Sequence, residues 1–382
     1  MLNKGLSPTD RHSHSASAVL GMVLPVDTLL YLLLPLYAAQ FGVTIAEAGV
    51  LLAANRLVRI AGYGWVARFY ARQGDRLTCT LAVAVAAICA IGHATLSNFW
   101  MLLPLRLLWG LSYAALNLST QVLATAELDG AARRTGRSRA IIAMGPALAL
   151  PIGAVLAEAF GPRSIFVLLA GISLIALVVT RELPSAPHPV PQQARGFRIP
   201  NSLDTWSFLE GLTLDGLFII GLSYLGRDSL PGGAVVAVGL LLAMRYLGEM
   251  LLSPAGGRLA ELFGPEKVLV TLSLLTSIAL IGFGAGWLWG CAASIVILRS
   301  LQLPLMAPIV ARRTSGPGRV QALASRATWR DIGAGAGPIL AGALLPVVSP
   351  VLIYSVSALL LACAALACVS PFVNPDRNSI SP

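Results

Sequence analysis

The chain has 382 residues, of which 56% are hydrophobic and 12% charged, with a mean hydropathy of +0.78 and a formal net charge of +10. A soluble domain carries about 25% charged residues, so this composition excludes an ordinary soluble protein and implies a polytopic membrane protein. No phosphate loop, His/Cys/Asp metal cluster or nucleophile motif supports an enzyme, and no cofactor or metal is expected.

Apolar runs between charged or Gly/Pro-rich breaks predict twelve helices. They lie near 16–39, 46–69, 77–96, 99–124, 138–160, 164–182, 205–226, 233–257, 267–287, 289–311, 320–345 and 348–372. Residues 1–15, with His12 and His14, read as a solvated tail. The first run is too long for a signal peptide and, at roughly 20 residues or more, long enough to span a bilayer. At its centre stands an aspartate, Asp27, in "LPVDTLLYLLLPLY". Residues 16–182 form a predicted six-helix bundle, 183–204 a proline-rich linker and 205–372 a second bundle, followed by a tail over 373–382. The five cysteines, Cys79, Cys89, Cys291, Cys363 and Cys368, lie in apolar runs and read as packing residues.

The positive charge is one-sided. "RFYARQGDR", "RRTGRSR", "RRTSGPGR", Arg195 and Arg198 fall on one side of this topology, and only Arg163 and Arg227 on the other. By the positive-inside rule both termini are cytoplasmic. The expected location is a bacterial inner (plasma) membrane. Nucleic acid is not needed to explain the basicity.

The two halves repeat. "LPVDTLL" around Asp27 matches "LTLDGLF" around Asp215, Arg56 matches Arg245, "RLLWG" from Arg106 matches "RSLQL" from Arg299, and "GPALALPIGAVL" from Gly145 matches "GPILAGALL" from Gly337. Four pairs in one order at a nearly constant offset imply two parallel repeats, with a site between them at the midplane.

With these motifs the sequence resembles the major facilitator superfamily over nearly its whole length. The family's loop motif G-x-x-x-D-R-x-G-R-R/K has a second-half copy in "GRLAELFGPEK", with Gly257, Glu261 and Gly264 in matching places and Lys267 one residue past the last basic position. The first-half copy, from Gly64, has Arg68 where the acid would be. "RLLWG" resembles the fourth-span motif R-x-x-x-G, and "GPALALPIG", with Gly145 and Pro146, resembles the exporters' fifth-span motif without several of its glycines. The resemblance implies an all-α integral membrane fold of twelve transmembrane helices in two pseudo-symmetric six-helix bundles. It also implies that the first, fourth, seventh and tenth spans line a central cavity, and so places Asp27, Arg106, Asp215 and Arg299 there.

Eight charges lie deep in their spans: Asp27, Arg56, Arg59, Arg106, Asp215, Arg245, Glu249 and Arg299. Facing lipid, each would cost about 3 kcal/mol, roughly 24 kcal/mol together, against a net stability of roughly 5–15 kcal/mol. Most must face the interior. Arg245 and Glu249, four apart, either hold their own helix or serve the site. Asp27, Arg106 and Arg59 are candidates for proton coupling. Arg56, Arg106, Asp215, Arg245, Glu249 and Arg299 are candidates for substrate binding, and Tyr31, Trp109 and Tyr113 either stack on substrate or pack the core. Arg330, Asp331, Gly337 and Pro338, in "TWRDIGAGAGP", are expected at a gate with Gly64, Arg68, Gly145, Pro146, Gly257, Glu261, Gly264 and Lys267. Five arginines against three acids favour an anionic or zwitterionic solute. The expected function is proton-coupled export of a small organic solute by alternating access, by a monomer and without nucleotide. A symporter or facilitator importing an organic anion, and a non-transporting receptor, are the alternatives.

Overall fold

A computed structural model describes residues 7–189, 200–226, 233–314 and 316–369, with the side chains of 233–241 and 243 set aside. Arg195 and Arg198 of the expected linker, Arg227 of the opposite loop and the tail 373–382 lie outside the described residues.

Regular structure among the described residues is entirely helical. Helix α1 is Pro8–Leu36. It starts in the expected tail because the Ser7 side chain accepts from Asp10 N–H and so caps the first turn. Ser15 then donates to Glu182 (2.7 Å) and Ser17 to Ser138 (2.7 Å), which docks that early segment against the bundle. The element Ile45–Thr95 opens on a Thr44/Glu47 capping box and folds back at Gly74, giving α2 (45–73) and α3 (75–95). Gly74 has φ +76, and a Cβ there would meet the Ala186 carbonyl at 2.7 Å, so only glycine fits the corner.

Helices α4 (Phe99–Ala124), α5 (Ala131–Phe160) and α6 (Ser164–Glu182) complete the first half of the chain. The second half runs through α7 (Ser202–Leu225), α8 (Gly233–Phe263), α9 (Pro265–Gly284), α10 (Leu288–Arg313), α11 (Arg319–Leu344) and α12 (Pro350–Ala367). Nine stretches among the described residues are long and apolar enough to cross a membrane, the folded-back element counting once. Helices α8 and α11 are interrupted by charges along their length: Arg245, Glu249, Arg258 and Glu261 on one, Arg326, Arg330 and Asp331 on the other. Large apolar side chains such as Leu57, Val155, Leu174, Ile278 and Leu359 point outward, as a lipid-facing surface requires.

Within each half one glycine seam brings two helices to backbone contact. Gly145 of α5 lies on the Gly21 carbonyl of α1, and Gly337 of α11 lies on Gly216 of α7. Between the halves, α5 packs on α8 and α2 on α11. The α5–α8 seam also runs on small residues: a Cβ at Gly136 would stand 2.5 Å from the Ser253 carbonyl, and Gly257 faces the Ala132 carbonyl. Small residues are the usual means of close helix approach in membranes.

The corners shift the register of the loop motif. Gly74 (φ +76) and Gly264 (φ +87) occupy the same left-handed position, one in each half. Gly257 precedes Gly264 by seven residues, so its first-half counterpart is Ala67 (74 − 7), not Gly64, and the acid position falls on Ala71, not Arg68. Gly64 accordingly faces open space, and Arg68 is exposed, folding back on the Gly64 carbonyl at 3.1 Å.

Candidate functional site

The deep charges meet in two connected clusters at mid-height. In the first, Asp27 of α1 accepts two hydrogen bonds on one oxygen, Oδ1: from Arg106 Nη1 of α4 at 2.5 Å and from Asn55 Nδ2 of α2 at 2.9 Å. Arg106 also donates to the Leu51 carbonyl (3.0 Å), lies under the Tyr31 ring at 5.9 Å, and keeps Nη2 without a partner. The amide oxygen of Asn55 accepts from Arg59 Nη1 at 2.9 Å. Arg59 then grips Asp331 of α11 with Nε (2.8 Å) and Nη2 (2.9 Å), while the Tyr113 ring covers it at 4.7 Å. Such a fork-to-carboxylate pair is the strongest arrangement two ionised side chains can take. It joins the two halves. Gly110 makes the cluster possible, since a Cβ there would stand 2.5 Å from the Asn55 carbonyl and push α4 off α2.

The second cluster gathers three acids and three arginines. Arg299 of α10 meets Asp215 (2.6 Å), Glu249 (3.4 Å) and Glu210 (3.5 Å). Arg330 of α11 meets Glu210 (2.8 Å) and Asp215 (2.5 Å), and Arg245 of α8 meets Glu249 (3.3 Å) and Asp215 (3.5 Å). Glu210 and Asp215 are five residues apart, which on an α-helix separates them by about 140° of rotation. Here residues Gly211–Leu217 form a π-helix, whose wider turn lets both acids reach the same guanidinium. Arg299–Asp215 repeats Arg106–Asp27 on the symmetry-equivalent helices. One half leaves Asp27 Oδ2 without a hydrogen bond among the described residues; the other fills both oxygens of Asp215.

The net charge is smaller than the sequence count implies. Glu210, Asp331 and Arg330 join the clusters, so six arginines (56, 59, 106, 245, 299, 330) face five acids (27, 210, 215, 249, 331). Every one except Arg56 has a carboxylate partner. Arg56 donates Nη1 to the Ala334 carbonyl of α11 at 2.6 Å and leaves Nε unpartnered.

Other predicted site residues scatter. Trp109 is fully buried with an unpartnered indole N–H, so it packs the core of its half. Arg330 and Asp331 lie in the mid-height clusters, Asp331 paired with Arg59 across the two halves. Of the residues expected to gate, Gly257 and Glu261 touch the other half, Glu261 Oε1 accepting from Arg133 N–H at 3.2 Å. Gly145 with Pro146 and Gly337 with Pro338 lie on the seams inside their own halves. Gly264 makes the corner described above, and Lys267 is exposed beyond it.

Sequence reasoning missed Asn55, Glu210 and a buried corner at Asp75. That carboxylate accepts from Tyr70 Oη (2.5 Å) and Ser119 (2.6 Å), and His188 Nε2 lies 2.9 Å from it, straight after α6. Glu210 was legible as an acid one turn and a half before Asp215; Asn55 carried no charge to draw attention.

The sequence profile described as the Major Facilitator Superfamily matches residues 17–230 and again 207–381. No curated protein matches the chain. Among solved structures, the crystal structure of the human organic anion transporter MFSD10 (TETRAN) shares 17% identity and superposes with a TM-score of 0.77, covering 95% of this chain and 100% of that one. At that identity the superposition speaks to fold alone. Profile, helices and repeat agree, and the chain belongs to the major facilitator superfamily of integral membrane transporters.

Proposed function

We propose that this transporter moves a small organic anion coupled to protons, working by alternating access. The observation that carries the reading is Arg56, the one member of the two clusters' six arginines without a carboxylate among the described residues, reaching across from α2 to α11. A guanidinium stays charged throughout and prefers a planar anion, so a substrate carboxylate or phosphate supplies the charge that the clusters lack. Arg106 Nη2, also unpartnered, offers a second donor on the same half. The structural likeness to an organic anion transporter agrees with this class.

Asp27 is the proton site in this reading. Among the described residues its only ionic partner is Arg106, whereas Asp215 is held by three arginines. A carboxylate takes up a proton more readily the fewer cations hold it. Substrate drawing Arg106 away from Asp27 favours protonation, and loss of that proton restores the pair and releases the substrate, so anion and proton load and leave together, which supports the symport alternative of the sequence reading over exchange. The chain functions as a monomer in a plasma membrane, with both termini on the cytoplasmic side where the arginines cluster.

The test is transport in proteoliposomes. With Asp27→Asn, a pH gradient no longer drives accumulation of an anionic substrate, while counterflow of the same substrate persists. Full gradient-driven transport by this variant refutes proton coupling through Asp27.

A further inference from the structure

A small cavity lies to the side of the mid-height clusters on which the chain termini sit, between α5 of the first half and α7, α10 and α11 of the second. Its volume is about 10 Å3, and Arg139, Trp206, Glu210, Gln302, Arg326 and Arg330 line it. A space of this size holds one water-sized occupant. Three guanidiniums therefore converge on a single carboxylate.

That carboxylate is already used. Glu210 is held by Arg330 at 2.8 Å and by Arg299 at 3.5 Å, and Arg330 is further matched by Asp215. The three arginines and three acids of the second cluster balance by themselves. Arg139 and Arg326 are left over. Arg326 is buried; its one contact is a long hydrogen bond to Gln121 Oε1 at 3.4 Å, and its Nε has no partner. Among the described residues neither Arg326 nor Arg139 has a carboxylate within the 4.0 Å of an ion pair. A guanidinium cannot shed its proton to escape burial, and a buried charge without a counter-charge is strongly destabilising. The cavity thus concentrates two uncompensated positive charges around a space for one small occupant.

We infer that this cavity is a binding site for a chloride-sized inorganic anion, held between Arg326 and Arg139 with Arg330 beside it. Arg139 comes from the first half and the other lining residues from the second, so the anion is a strut between the halves. It holds only while this face of the interface is closed. The site stands apart from Arg56 and Asp27 and does not depend on which solute the transporter moves.

The test uses the full-length protein in detergent, in gluconate buffer at constant ionic strength, titrated with chloride or bromide. The melting temperature is flat below the dissociation constant and rises logarithmically above it, each tenfold increase in anion well above that constant adding about 2 °C. Arg326→Gln and Arg139→Gln each remove an unmatched charge rather than half of a pair. Both variants therefore melt higher than wild type in gluconate and lose most of the response to chloride, a combination that an arginine serving only to pack would not give. Acetate, larger and planar, gives a smaller shift than chloride. If Arg326→Gln fails to fold, the half-buried Arg139 still supplies the comparison, and bromide bound to the wild type gives an anomalous diffraction peak among the three guanidiniums. Equal melting in gluconate and chloride, variants that follow the wild-type response, or a response to acetate alone would each overturn the assignment.

Discussion

Removing the charge of Asp331 with Asp331→Asn isolates the one carboxylate–guanidinium pair that, among the described residues, crosses between the halves. The side chains of Arg59 and Asp331 are 8% and 9% exposed and share two hydrogen bonds of 2.8 and 2.9 Å. After the change Arg59 has no counter-charge and keeps only neutral partners: the Asn55 amide oxygen, the one amide oxygen left at position 331 and the face of Tyr113. Breaking a buried pair by removing one partner costs about 3–5 kcal/mol, because the other charge is left uncompensated. With an unfolding entropy of about 2.1 cal/mol/K per residue, a chain of this length loses about 4–6 °C of melting temperature. Replacing both members, as Arg59→Met with Asp331→Leu, removes charge and counter-charge together and recovers at least ~2 kcal/mol of that loss. The assay is a thermal double-mutant cycle in detergent, repeated with state-selective cysteine labelling of the two membrane faces. Because the pair exists only with the halves together here, the same energy shifts the balance between states by about two to three and a half orders of magnitude. A coupling energy below ~0.5 kcal/mol would refute the claim that this pair fastens the halves.

Three further outcomes follow from particular contacts. Arg56→Gln leaves folding intact, since no carboxylate loses its partner, and raises KM for anionic substrates at least about tenfold, or ~1.4 kcal/mol, with little change for neutral ones; radiolabelled uptake across a panel of charges measures this. Gly145→Ala drives a methyl into the Gly21 carbonyl and costs about 1–3 kcal/mol by overpacking, whereas Gly64→Ala, with no atom within 4 Å of the new carbon, is neutral or gains up to ~1 kcal/mol in helix propensity; paired melting curves separate them. His188→Ala removes the partner and ring stack that close the Asp75 corner, so limited proteolysis just after α6 quickens while Asp75 keeps its bonds from Tyr70 and Ser119.

The helical runs and the paired charges were legible because lipid leaves so few alternatives. An aspartate or arginine inside an apolar run has to face a partner, and a repeat that carries Asp27/Arg106 onto Asp215/Arg299 names that partner. What the sequence hid depended on local backbone geometry. The register of the first loop motif turned on which glycine takes positive φ, and the string "GYGWVARFYARQGDR" offers Gly62, Gly64 and Gly74 without distinguishing them. Glu210 joined Asp215 only through a π-turn, which breaks the α-helical spacing by which faces are read. Arg330 and Asp331 pointed to a gate by their place in the inner part of the eleventh span, but their neighbours in space, Glu210, Asp215 and Arg59, could not be read from that place. Asn55 is uncharged, and its value as donor to one ion and acceptor from another shows only when both lie beside it.

The crossing pair also sets an electrical asymmetry. When the halves part, the first keeps Arg56, Arg59 and Arg106 against Asp27, a surplus of two positive charges; the second keeps Glu210, Asp215, Glu249 and Asp331 against Arg245, Arg299 and Arg330, a deficit of one. The opened cleft then resembles a charged capacitor whose plates draw each other shut. A monovalent anion settling on Arg56 halves the charge on that plate, so the cargo itself discharges part of the field that holds the door.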